Sequence, residues 1–79
     1  MDNSVLIGTK TEFCPICDKI HEIEERKERK EVRVHGVMVQ YDEYFLRCNL
    51  SNDEYSDYTP GFMMRENLAR IRKAYNNLL

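Results

Sequence analysis

The sequence predicts a small α+β domain. It reads as a twisted antiparallel β-hairpin, widened to three strands if Ile20 to Arg26 joins it, with a cysteine knuckle at one end and a C-terminal helix. Three observations carry this. Apolar residues alternate with polar ones on both sides of His35-Gly36. Cys14-Pro15-Ile16-Cys17 is answered much later by Cys48. The apolar set Met64, Leu68, Ile71, Tyr75 and Leu78 recurs at helical spacing.

A chain of 79 residues allows one domain. So short a chain buries limited apolar surface, and small domains of this kind commonly need a metal or a partner. Charged residues make up 33% of it, which implies a thin core inside a charged exterior. The net charge of −2 does not mark the whole domain as a polyanion binder. Charge is segregated, however: Arg65, Arg70, Arg72 and Lys73 gather in the last segment, and Asn52 to Asp57 is acidic. Met1 to Thr11 lacks the basic start of a secretion signal, and no apolar run approaches the ~20 residues of a membrane span. An odd number of cysteines, 3, without such a signal points to reduced thiols in the cytoplasm.

Taken in order, residues 1–12 read as a loose N-terminal arm, with Val5 to Ile7 as an edge strand in the alternative reading. Residues 13–61 form the β domain. Within it, Phe13 to Asp18 is the knuckle, where Pro15 fixes one φ angle and helps both sulfurs point inward. A redox pair or two buried small apolar groups would explain the same spacing. A thioredoxin-like pair needs a βαβ context, and no such pattern surrounds it. Ile20 to Lys30 is dense in charge and suits an exposed helix with pairs such as Glu22 and Arg26, or a two-sided polar strand. Val32, Val34, Val37, Val39 and Tyr41 share one parity across a tight turn at His35-Gly36, whereas Tyr44, Leu46 and Cys48 take the other. A bulge at Asp42 or Glu43 would restore one buried face and swing Cys48 toward the knuckle. Asn49 to Gly61 is turn-rich, with Tyr55 and Tyr58 expected to lie over the hairpin with their hydroxyls in water.

Residues 62–79 are the helix, with Thr59 as N-cap and Pro60 at the first helical position. Its apolar stripe serves to pack on the hairpin or to join a second copy as a homodimer. The stripe still runs where the sequence stops at Leu79, which suggests continuation into a further domain.

A structural zinc site needs four ligands. Cys14, Cys17 and Cys48 supply 3 thiols. Ser51 holds the position where a second Cys-x-x-Cys would place its last thiol, and a protonated hydroxyl is a poor ligand. The fourth ligand is then Asp53 or His21, with His35, water or no ligand as further options. Cysteines buried without any metal are the plain alternative. No general base and no phosphate-cradling glycine loop accompany the thiols, so the domain reads as a non-enzyme.

With the knuckle, the hairpin at His35-Gly36, Cys48 and the segment Glu66-Asn67-Leu68…Ala74-Tyr75 in view, the chain resembles the YgiT-type zinc-finger domain over roughly residues 13–79. That domain is the N-terminal module of MqsA-like antitoxins and related helix-turn-helix regulators. In the resemblance, Cys48-Asn49-Leu50-Ser51 aligns with the family's second Cys-x-x-Cys, and Asn52 takes the place of its usual glycine, a position where Asn tolerates a left-handed backbone. The resemblance implies a mainly structural Zn2+, a protein partner such as a cognate toxin, and DNA binding through a domain absent from these residues. Two other readings stay open. One is nucleic-acid contact through the basic helix, although cations near a helix C-terminus also suit its dipole. The other is a stand-alone zinc or thiol protein.

Overall fold

The computed structural model describes residues 3–50 and 56–79. Ser51, Asp53 and Tyr55, each singled out above, lie outside the described residues. Four strands and one helix follow one another: β1 (Val5–Cys14), β2 (Lys19–Val34), β3 (Val37–Arg47), β4 (Asp57–Tyr58) and α1 (Gly61–Asn77). The strands form one antiparallel sheet in the order β1-β2-β3-β4. The expected α+β class is therefore the observed one.

Residues 5–12 are not a loose arm. They belong to β1, paired with β2 from Val5↔Lys27 to Cys14↔Lys19, with one irregularity between Leu6 and Gly8. Arg26 secures the start of this strand, donating to the Ser4 hydroxyl at 2.7 Å and the Ser4 carbonyl at 3.2 Å. The charged run is the two-sided polar strand, not a helix. It has too few apolar residues for a buried helical stripe, and in a central strand its charges meet opposite ones across and along the strands. Arg26 reaches Glu24 at 2.6 Å, Arg29 reaches Asp42 at 3.3 Å, and Lys30 lies 3.5 Å from Glu28 and 3.8 Å from Glu43.

The β2–β3 turn is the two-residue His35-Gly36 connection. Both residues have positive φ, 49° and 80°, the hand that matches the twist of the flanking strands. Gly36 adopts this geometry without the cost of a Cβ.

The expected bulge at Asp42 or Glu43 is absent. Pairing runs unbroken from Glu24↔Arg47 to Val34↔Val37. The change of parity is instead a change of buried face. Leu46 and Cys48 are buried on one side of β3, and Val39 and Phe45 on the other.

The helix sits along the edge of β3, which makes this possible. Phe62, Met63, Glu66 and Arg70 stand with Tyr44 on one face, while Met64, Leu68 and Ile71 line a groove with Tyr41 and Glu43 of the other. Asn67 makes the join: its Oδ1 accepts from the Tyr44 N–H and its Nδ2 donates to the Tyr44 carbonyl, both at 2.9 Å. Leu46 pairs with Tyr58, so the next outward-facing residue, Tyr44, falls opposite Pro60. Proline has no N–H to give. The buried Asn67 amide replaces the missing strand partner.

Two expectations about α1 are corrected. The N-cap is Pro60, one residue later than Thr59, and no side chain caps the helix. The N–H groups of Met63 and Met64 donate to the Pro60 carbonyl instead. The apolar stripe does not pack on the hairpin as a whole. The helix buries Met63 and Asn67, whereas Met64, Leu68 and Leu78 are 54%, 58% and 59% exposed. The Tyr44 backbone draws Asn67 inward, which rotates the stripe away from the sheet.

Candidate metal centre

The knuckle is the β1–β2 turn. Cys14 ends β1, and the Asp18 N–H donates to the Cys14 carbonyl at 2.7 Å. Asp18 closes the turn with φ 58°, a conformation a short polar residue tolerates. The Cys17 N–H lies 3.5 Å from Cys14 Sγ, which turns both sulfurs to the same side.

Strand parity brings in the other two groups. His21 and Ile23 share a face of β2, and the β2–β3 register sets Cys48 just beyond the Glu24↔Arg47 pair, opposite Ile23. The end of β3 is held in place from the far side. The Cys48 N–H donates to the Ser56 carbonyl at 2.9 Å, and Arg47 clasps Asp57 at 2.6 and 3.0 Å.

Cys14, Cys17, His21 and Cys48 therefore converge, with their donor atoms all within 4.8 Å of one another. This cluster is close enough to hold a metal ion. Cys14 and Cys48 are buried beside Ile23, Leu46 and Met63, and Cys17, Tyr44 and Tyr58 pack against that core.

Three sulfurs and one imidazole nitrogen are donor types that suit a tetrahedral ion. Tetrahedral zinc sets sulfur and nitrogen ligands roughly 3.6 Å apart and sulfurs roughly 3.8 Å apart. Cys48 Sγ lies 3.7 Å from His21 Nε2, the spacing such an ion sets, whereas Cys17 Sγ lies 3.0 Å from Cys48 Sγ, so these two sulfurs would part by about 0.8 Å around an ion. His21 Nδ1 is 2.7 Å from the Glu22 carbonyl. A carbonyl only accepts, so Nδ1 is the donor in this contact, and in the neutral ring Nε2 then keeps its lone pair toward the sulfurs. This outer hydrogen bond is the one that orients metal-binding histidines.

The hydrogen bond with Cys48 is the largest cause that pushes Cys17 up to about 11, followed by desolvation. Burial, with the Glu12 carboxylate next, pushes the Tyr58 phenol up to about 12. Its hydroxyl, expected in water, is instead buried without a hydrogen-bond partner among the described residues, because the ring packs against the knuckle core.

Of the two fourth-ligand candidates, His21 is in the cluster, and Asp53 lies outside the described residues. His35 is in the turn at the far end of β2, its ring 5.7 Å from that of Tyr75. The signal for His21 was present in the sequence: once Lys19 to Val34 is one strand, residue 21 shares a face with the buried Ile23. No family model, curated protein or solved structure matches this chain.

Proposed function

We propose that this chain is a zinc-stabilised, non-enzymatic binding module in which Zn2+ on Cys14, Cys17, Cys48 and His21 ties the β1–β2 turn to the end of β3. The observation that carries it is His21: its Nε2, freed by the Glu22 carbonyl, completes a three-sulfur, one-nitrogen set. Three sulfurs and an imidazole suit zinc better than a hard cation. Four protein donors fill a tetrahedron and leave no position for a substrate, which favours a structural ion over a catalytic one. The thiols become thiolates on binding, so the ion would anchor the fold where the core is densest.

The shared order of knuckle, hairpin, third cysteine and helix supports a place among antitoxin-type transcriptional regulators, with a toxin-like protein as partner and cytoplasmic thiols. Nucleic-acid contact through α1 is the weaker reading, because Arg70 is engaged within the fold. It stacks 3.9 Å over the Tyr44 ring and donates to Asn67 at 2.9 Å.

Native mass spectrometry of protein purified without chelator tests the metal, together with the absorption of the cobalt-substituted protein. One zinc per chain and the spectrum of tetrahedral cobalt bound by thiolates are expected, both lost in Cys48→Ser. A folded, metal-free protein with no cobalt spectrum refutes the zinc site. Failure of the product of an adjacent toxin gene to bind the zinc-loaded chain refutes the partner class.

A further inference from the structure

The helix carries two stripes, and the fold uses the more polar one. Met63, Asn67 and Arg70 face the sheet. Met64 and Leu68 stand exposed, and with Ile71 they form one wall of a groove of about 210 Å3 whose other wall is Tyr41, Glu43 and Thr59. Arg65 and Arg72 each follow a stripe residue and are seven positions apart, roughly 10 Å along one flank of the helix. Both are exposed and have no hydrogen-bond or ion-pair partner among the described residues. The groove is thus apolar at its centre, closed by the sheet on one side and rimmed by two free guanidinium groups on the other.

We infer that this face of α1 docks an amphipathic helix of a protein partner, one whose apolar stripe is edged with Asp or Glu on the side that meets Arg65 and Arg72. The inference rests on the binding-module reading but not on the metal. Helix-in-groove recognition uses anchors at this spacing, and rim charges select the partner. A second copy fits less well. Antiparallel, it would lay Arg65 and Arg72 along their own equivalents. Parallel, it would offer them a helix flank already covered by its own sheet. A flat lipid surface would not fill a concave groove.

The probes are two fluorescein-labelled synthetic helical peptides with one leucine stripe, edged by Glu in one and by Lys in the other. Fluorescence anisotropy is read against the zinc-loaded full chain at low salt. The Glu-edged peptide should bind roughly tenfold more tightly, since two rim pairs change from attractive to repulsive. R65E/R72E should reverse that preference, and Leu68→Glu should abolish binding of both peptides. Zinc content and urea midpoint, measured on each variant, should stay at the wild-type value because all three side chains are exposed. Equal binding of the two peptides, or an unreversed preference with zinc retained, overturns the surface and leaves the zinc site standing. A dimer dissociated by Leu68→Glu in sedimentation velocity, without peptide preference, assigns the face to a second copy and also overturns it. Attachment to anionic vesicles lost in Leu68→Glu overturns it in favour of a membrane.

Discussion

The two halves of the β2–β3 hairpin are held by different forces. At the knuckle end, Ile23, Leu46 and Cys48 are fully buried with Cys14, and the candidate metal cluster stands among them. At the turn end, Val39 is fully buried but Val37 and Met38 are exposed, and exposed ion pairs, the His35-Gly36 turn and the ring of Tyr75 surround that smaller apolar contact. The same two strands run through both. Pairing alone therefore does not decide where the stability lies. What differs is the number of apolar groups removed from water and the presence of thiols able to share an ion.

Removing the metal should separate the halves most sharply. In Cys48→Ser or His21→Ala, or after chelation, zinc should be lost. Hydrogen exchange should then rise at Cys14–Ile23 and Leu46–Cys48 well before Val32–Val39. Equal loss at both ends would break the comparison.

Acidity should act through the same region. Zinc binding must expel thiol protons, that of Cys17 from a thiol pushed up to about 11, so affinity should increase as pH increases, read by competition with a chelating dye. For the metal-free protein the sign is opposite. Cys17 is raised from 9.0 to about 11, so its contribution is complete below 9 and lost as pH climbs toward 11. Urea melts of the metal-free protein across that window should show falling stability.

Leu46→Ala should cost about 2–5 kcal/mol by urea unfolding, through lost transfer free energy and a cavity. Val37→Ala, half-exposed at the other end, should stay within about 0.5 kcal/mol. Asn67→Ala comes next, at about 1–3 kcal/mol, since it strands the N–H and carbonyl of Tyr44. Gly36→Ala, at φ 80°, should cost about 1 kcal/mol. Arg29→Ala should cost least, because its pair with Asp42 is exposed on both sides.

Much of the local structure was legible because it depends on residues close in sequence. The turn at His35-Gly36 follows from alternation and a glycine, and the helix from its apolar spacing and Pro60. The thiols of Cys14, Cys17 and Cys48 were legible as a set. His21 was visible only as one candidate, because its face depends on whether Ile20 to Lys30 is a strand or a helix. The charges there satisfy either conformation locally. Only pairing with both β1 and β3 selects the strand, and parity then puts His21 beside the sulfurs. The bulge inferred near Asp42 failed for a related reason: the parity argument assumed one buried face, and β3 buries both.

The sequence by itself determined the hairpin strands on either side of His35-Gly36, the tight turn, the C-terminal helix and three of the four side chains of the candidate metal cluster, since each rests on short-range sterics or on spacing along the chain. The tertiary structure decided which face each element buries. Pro60 could not pair with Tyr44, so Asn67 was drawn into that place, and the helix turned its polar side inward. That single rotation leaves Met64, Leu68 and the two arginines facing outward, and apolar periodicity could not foresee it. Periodicity reports which side chains share a face. Backbone groups seeking hydrogen-bond partners decided where that face points.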